Sequence, residues 1–331
     1  MKLAEQRKIG RQDILFCMAR AADSSRVFCG SSDFKVYELD LAADEPARRT
    51  FSGHRSYVTG AALTAHGTLV TCGYDRQLVW WDVESGKPFR RTIAHERWAR
   101  KVAASPDGTL VASVADDMVA RVWNAWTGDL LDELRGHEPL TPQHFHSMLY
   151  TCVFSPDGEF LATADRVGHV VVWELASGNP VATLESPEHY TWDPRQRRRS
   201  IGGVRSLAFA PDGNLLAVGG VGQIGNVDGL GGKALVHVYD WRRGERTHKF
   251  EHDGHKGLVE DLHFLRDGRQ LLAGGGAQKG FLLLVDVERQ EFVYDTEAPM
   301  HVHQLDLDLS TNQLIAVGHG AVVVWQMDDE A

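Results

Sequence analysis

The sequence predicts an all-β chain assembled from seven copies of one short multi-stranded unit, and three observations carry that prediction. Short alternating apolar runs, many of them β-branched, recur in pairs, as in residues 109–113 followed by 118–123. Between the pairs stand tight-turn signals: Ser-Pro-Asp-Gly occupies 105–108 and 155–158, and related Asp-Gly turns fill 210–213 and 265–268. The third observation is fixed spacing. From His54 to Thr64, from His95 to Ser105 and from His255 to Leu265 is 10 positions, and Arg11 to Ala21 also fits. From a small residue in the second strand to an aromatic in the third is again 10, in Thr71 to Trp81, Ser113 to Trp123 and Thr163 to Trp173.

Composition bounds the rest. The 331 residues are 43% hydrophobic and 24% charged, the balance of a globular protein able to bury a substantial core. A formal charge of −10 argues against a surface that binds nucleic acid or anionic membrane as a whole, because such surfaces present net positive fields. The four cysteines, Cys17, Cys29, Cys72 and Cys152, are scattered in apolar strand-like runs with no Cys-x-x-Cys pairing, and read as buried reduced thiols. Residues 1–10 carry Glu5, Gln6, Arg7 and Lys8 where a signal peptide needs an apolar stretch, and no run reaches the roughly 18 apolar residues of a membrane span. A cytoplasmic protein with no membrane contact is the expectation.

Taken in order, the third strands end at Leu39-Asp40, Trp81-Asp82, Trp123-Asn124, Trp173-Glu174, Tyr239-Asp240, Val285-Asp286 and Trp325-Gln326. Together with the Gly-His pairs and the spacing, these ends make the whole chain resemble the WD40-repeat family. The resemblance implies a single domain over residues 1–331, a seven-bladed β-propeller of four-stranded antiparallel blades. It also implies hydrogen-bonded tetrads: Trp81, Thr71, His54 and Asp75 in the second blade, and Trp123, Ser113, His95 and Asp117 in the third. The residue types suit the task, since indole only donates, a hydroxyl both accepts and donates, and imidazole links that hydroxyl to a carboxylate. The fourth blade keeps His137, Thr163 and Trp173 but shows Val167 in the acid slot, and later blades lose more. Those blades are expected to rely on apolar packing.

The two ends follow from counting strands. Six residues follow Trp325, too few for a fourth strand, whereas Lys2 to Ile9 precede Gly10-Arg11 in a fourth-strand position. The N-terminal segment is therefore expected to complete the seventh blade and close the ring, pairing two otherwise open edges.

Three departures from the repeat point to function. The loop around 139–146 holds 8 extra residues, the segment between 187 and 210 holds 13, and the glycine-rich stretch between Val218 and Tyr239 holds 11. All three fall on connections of one face, and loops on a rigid scaffold commonly carry function. The run Arg195 to Arg199 offers guanidinium forks for carboxylate or phosphate, beside Tyr190 and Trp192. Tyr57 and Trp98 follow Gly-His slots and Tyr74 precedes a tetrad Asp, so all three should rise on the same face. The expected partner surface therefore comprises Tyr57, Tyr74, Trp98, Tyr190, Trp192, Arg197, Arg198 and Arg199, with tyrosine, tryptophan and arginine as anchors. A protein or peptide partner, acidic or phosphorylated where it meets the arginines, is the expectation, and nucleic acid is not.

Other motifs carry less. Gly220 to Gly225 matches Gly-x-Gly-x-x-Gly, but a dinucleotide fingerprint needs a helix to open at once, and residues 226–232 cannot sustain one. The pairs His144/His146 and His301/His303, with His263, stand at no known metal-ligand spacing and are expected as polar lining. No enzyme activity, cofactor or metal is expected. The alternatives are a metal-dependent hydrolase at the channel mouth and an anionic ligand, nucleic acid or phosphate, on the Arg195 to Arg199 loop.

Overall fold

The computed structural model describes residues 2–21, 24–194, 199–308 and 311–328. Strand follows strand because the turns are locally determined. At 105–108 the Ser105 carbonyl accepts the Gly108 N–H at 2.9 Å, and Asp107 accepts the Ser105 hydroxyl at 2.6 Å and the Thr109 N–H at 3.0 Å. Gly108 sits at φ +72°, a conformation glycine adopts without the strain a Cβ would bring. The turn at 155–158 repeats these contacts.

The chain forms two compact units, residues 1–134 with 303–331, and residues 135–302. In the first unit lie β1 (Lys2–Arg20), β2 (Arg26–Ser31), β3 (Lys35–Asp40) and β4 (Ala47–Ser52). Then come β5 (Val58–Leu63), β6 (Leu69–Gly73), β7 (Gln77–Asp82) and β8 (Lys87–Ile93), one antiparallel sheet. The next sheet is β9 (Ala99–Ala104), β10 (Leu110–Ala115), β11 (Ala120–Asn124) and β12 (Leu130–Leu134).

The second unit opens with the sheet β13 (Leu149–Phe154), β14 (Phe160–Asp165), β15 (His169–Glu174) and β16 (Asn179–Glu185). A 3-10 turn at Pro187–His189 leads into a two-stranded ribbon, β17 (Tyr190–Asp193) and β18 (Arg199–Gly202). Two more four-stranded sheets follow: β19 (Val204–Phe209), β20 (Leu215–Val221), β21 (Lys233–Asp240) and β22 (Glu245–Lys256), then β23 (Leu258–Phe264), β24 (Gln270–Gly276), β25 (Gly280–Asp286) and β26 (Glu291–Ala298). The last strands, β27 (Val302–Asp308) and β28 (Gln313–Asp328), lie side by side, and β28 in turn pairs with β1.

That last pairing corrects the expected seven blades of four strands. Among the described residues the structure has six blades: five four-stranded sheets and one six-stranded sheet ordered β27-β28-β1-β2-β3-β4. The cause is the continuity of β1. Its first half pairs with β28, Lys2 opposite Asp328 through Gly10 opposite Ala321, and its second half pairs with β2, Leu15 opposite Ser31 through Arg20 opposite Val27. The backbone passes through Gly10 and Arg11, the residues that by spacing separate two repeats, with a register shift but no break in the strand.

The blades share more than their turns. Each four-stranded blade has a β-bulge between its first two strands, such as Val58/Gly60 and Leu149/Thr151, and another where the third strand meets the fourth. The second bulge falls at the aromatic slot: Trp80/Trp81, Val122/Trp123, Val172/Trp173, Val238/Tyr239 and Leu284/Val285. A bulge re-aims the side chain that follows it. The core lies between successive sheets. Trp81 packs with Phe51 and Phe28 of the preceding sheet, while its neighbour Trp80, on the other face of β7, packs with Val102 and Trp123 of the following one. All four cysteines are buried, and none is in a disulfide. Among the described residues, no helix is long and apolar enough to cross a membrane.

Candidate functional site

The three inserted segments, far apart in sequence, meet on the second unit. The loop before β13 folds back on itself through a bridge between Leu140 and His146, and presents Phe145, whose ring lies 5.2 Å from that of Trp192. Tyr190 donates its hydroxyl to Gln143 Oε1 at 2.6 Å, tying the ribbon β17-β18 to that loop. The glycine-rich segment after β20 joins from the other side. Gln223 donates to the carbonyls of Glu188 and Tyr190, and the Ile224 N–H reaches Thr191 Oγ1 at 3.0 Å. Beneath them Ile201, Val221, Ile224, Leu230 and Leu258 form a small apolar cluster. Gly220 permits this seating, since a Cβ there would lie 2.5 Å from the Gly203 carbonyl and 2.7 Å from the His189 ring. The glycine of the Gly-x-Gly-x-x-Gly match is thus spent on packing, and no helix follows it.

Of the partner residues expected here, Tyr190 and Trp192 are half-buried, and Arg199 is exposed. Arg197 and Arg198 lie outside the described residues. Phe145, 48% exposed, is the aromatic that sequence reasoning did not single out, although its place in an inserted loop marked it.

Under the ribbon lies a buried polar network that corrects the expectation of apolar packing alone in the fifth blade. Ser186 Oγ stands 2.7 Å from His237 Nδ1 and 2.9 Å from His189 Nδ1, and the Tyr239 hydroxyl donates to the Glu185 carbonyl. Burial pushes His189 down to about 4, against the pull of the Leu235 and Ser186 carbonyls. Burial, with His189 and Arg246 nearby, pushes His237 down to about 3. Glu188, bound by Lys249 and Arg246, is held at about 2. Both imidazoles are neutral in the fold but ordinary histidines in the unfolded chain, so the unfolded state binds more protons between the two values. Their contribution to stability is complete above about pH 6.5 and falls with acidification toward about 4, by roughly 1.4 kcal/mol per pH unit for each group. His237→Gln should therefore flatten the pH dependence of unfolding between about pH 4.5 and 6 by about that slope, as urea melts across the range would show. An unchanged slope would remove His237 from the acid response.

On the first unit a row of aromatics reaches solvent. Phe34 and Tyr57 are 5.8 Å apart, Tyr57 and Tyr74 5.7 Å, and Tyr74 stacks on Trp98 at 4.5 Å with rings 8° from parallel. Tyr57 is 40% and Trp98 49% exposed. Backbone bonds hold the loops in place, Tyr74 N–H to the Tyr57 carbonyl and Asp116 N–H to the Trp98 carbonyl, each at 3.0 Å. Arg100 lies over the Tyr74 ring, donates to its hydroxyl at 2.5 Å and grips Asp116 with two bonds of 2.7 Å.

The tetrads lie in the blade cores. His54 Nδ1 is 3.0 Å from Asp75 and its Nε2 2.8 Å from Thr71 Oγ1, to which Trp81 donates at 2.8 Å. His95, Ser113, Asp117 and Trp123 repeat this at 2.8 to 3.1 Å. Here Arg121, where the second blade has Val79 and the fourth Val171, adds a fifth member, 2.9 Å from Asp117 and 2.7 Å from Glu133. The fourth blade is not defective. Asp165, two residues before Val167, receives His137 Nδ1 at 3.0 Å, and His137 Nε2 and Trp173 both reach Thr163 Oγ1. The acid there comes from the end of the second strand instead of the following turn. The histidine and aspartate side chains of all three networks are buried.

The histidines weighed as metal ligands differ in their surroundings. His144 and His146 are exposed on the inserted loop, and His263 pairs with Asp261 at 3.1 Å. His301 faces the Ala277 carbonyl and Glu260, which outweigh burial and raise it above the ordinary histidine value. His303 rests 5.3 Å from Phe16. A further group, His252, His255 and Asp295, brings three donor atoms within 4.8 Å of one another. His252 Nδ1 accepts the N–H groups of Gly254 and His255, so Nε2 carries the proton directed at Asp295. No lone pair of His252 then faces the group, and the hydrolase alternative gains no support from it.

Comparison with known proteins agrees with the repeat. The family described as WD domain, G-beta repeat matches residues 46–82, 86–124, 128–174 and 197–224, including the blades with complete tetrads. Nuclear distribution protein PAC1 of Arthroderma otae is 28% identical over 210 residues, covering 56% of this chain and 42% of that protein. Human apoptotic protease-activating factor 1 is 25% identical over 60% of the chain and 15% of its own length. Mouse telomerase protein component 1 is 25% identical over 78% and 8%. The chain thus spans less than half the length of these curated relatives. Matching repeats, the tetrads in their cores and the bulge at every aromatic slot place this chain in the WD40-repeat family.

Proposed function

We propose that the protein is an interaction scaffold that holds a peptide or protein partner on the surface built by its three inserted segments. The observation that carries this reading is their convergence: segments around 139–146, 187–202 and 222–232 are bonded to one another, and Phe145 and Trp192 are presented side by side. Repeat architecture needs none of them. A chain that joins its strands by tight turns elsewhere has gathered its extra residues in one place, and exposed aromatics beside arginines anchor interfaces. Arg197 to Arg199 adjoin that place in sequence, so the partner segment is acidic or phosphorylated there. The buried reduced cysteines support a cytoplasmic setting, and the reading assigns no catalysis.

The test begins with affinity capture on the intact chain and continues with the captured partner in purified form. Trp192→Ala should cost about 2 kcal/mol or more of binding free energy, as truncation of an aromatic anchor does. Charge reversal at Arg197, Arg198 and Arg199 should weaken binding and reduce its dependence on salt. A partner that binds both variants as it binds the parent chain would move the site elsewhere.

A further inference from the structure

The geometry points to a second recognition site, on the first unit: a pocket formed by Arg76, Arg97 and Trp98 that takes the carboxylate of an acidic peptide, with the neighbouring aromatic row receiving an adjacent apolar side chain. It rests on the reading of the chain as a peptide-binding scaffold, but on different residues.

The first support is a local inversion of charge. The chain carries −10 overall, yet in the loops around Tyr57, Tyr74 and Trp98 the carboxylates are already engaged. Asp75 accepts from His54 and the Arg55 N–H, Asp117 from His95, Arg121 and the Glu96 N–H, and Asp116 from Arg100. Arg55, Arg76 and Arg97 are exposed and, among the described residues, form no ion pair. Against these three stand the exposed Glu96 and also Asp75, whose hydrogen bonds leave its carboxylate ionised, a local excess of 3 − 2 = +1. Guanidinium groups without partners keep their paired donors directed outward, which suits the two oxygens of a carboxylate.

The second support is a shaped space. Arg76, Glu96, Arg97, Trp98 and Asp116 line an open cavity of about 340 Å³. The loops around it are fixed by backbone bonds, the Arg76 carbonyl accepting the N–H groups of Ala94 and His95 at 2.9 and 3.2 Å. Arg76 itself is held at φ +70°, in a turn slot where the fourth blade uses Gly168 at +90°. The same slot holds Phe34 at +75° and Met118 at +63°, so the turn belongs to the repeat and fixes where the Arg76 side chain leaves the backbone. Beside the cavity Trp98, Tyr74 and Tyr57 continue as an apolar platform, so a carboxylate in the pocket leaves room for an apolar neighbour on the rings.

The test uses the full chain and an array of immobilised 12-residue peptides in which the numbers of Asp/Glu, Lys and Phe/Leu residues are varied independently, with phosphoserine versions of each. The intact chain should retain peptides that combine acidic with apolar residues. Arg76→Glu with Arg97→Glu should reduce that retention at least tenfold and raise retention of the Lys-containing peptides, while Trp98→Ala lowers both. Thermal melting checks that each variant is folded, and Trp192→Ala should leave the array pattern unchanged. Retention indifferent to acidity, unaltered by the double reversal, absent altogether or confined to phosphoserine peptides would overturn the assignment. Loss with Trp192→Ala alone would leave the scaffold reading standing and remove this site. Conversely, an intact array response with no effect of Trp192→Ala on the captured partner would remove the insertion surface and keep this pocket.

Discussion

A chain lacking residues 1–10 is expected to melt at a clearly lower temperature than the full chain, or to aggregate. The segment forms the first half of β1, and its removal would expose the pairing edge of β28 from Ala321 to Asp328. Ile9 would also leave the cluster of Leu15, Val27, Ile315, Val322 and Val324 that joins the two halves of the six-stranded sheet. Net hydrogen-bond contributions of about 0.5–1.5 kcal/mol each, over several pairs, approach the roughly 5–15 kcal/mol that holds a typical domain folded. An exposed edge is besides a template for intermolecular pairing. Calorimetry with size-exclusion chromatography would decide it. A truncated chain that melts with the full one and stays monomeric would show that β28 is held by β27 and the core.

The second large effect concerns Asp117. Burial alone would raise its carboxyl, but hydrogen bonds from His95 and Arg121 and the Glu96 N–H hold it well below the ordinary carboxylate range. Asp117→Ala strips two nearly buried cationic or polar neighbours of their acceptor at once. Removing one partner of a buried ion pair costs about 3–5 kcal/mol. Asp165→Ala, which takes the acceptor from His137 and from the Val167 and His169 N–H groups but breaks no pair with an arginine, should cost about 1–3 kcal/mol, and Val167→Ala less than either. Urea unfolding of the three variants tests the order. An Asp117→Ala chain as stable as Val167→Ala would mean that the tetrad contributes nothing to the fold.

Much of this was legible in residue spacing, and the failures have physical reasons. The strand pairs, turns and two tetrads depend on residues at fixed offsets, so counting finds them. Asp165 escaped because its carboxylate reaches His137 from offset two instead of four, a difference that depends on the path of the backbone. Blade number was miscounted because β1 passes through Gly10 and Arg11 without ending, and apolar periodicity reports neighbours, not continuity. Length alone exposed the insertions, yet it could not tell that Trp192 is half-buried against Phe145. Nor does any sequence pattern reveal that Arg100 is spent on Asp116 while Arg76 and Arg97 are not. That distinction depends on which carboxylates the fold has already used.

The division of β1 between two partners also has a mechanical consequence. Residues 2 and 328 stand opposite each other at one end of a ladder. Tension applied between them loads that ladder pair by pair, as a zipper opens, and each rupture needs little force. Tension applied between residues 2 and 31 runs along β1 itself, whose residues are braced by β28 on one side and β2 on the other. Those bonds share the load and fail together. One strand thus makes the same sheet compliant or stiff according to where a tethered partner pulls.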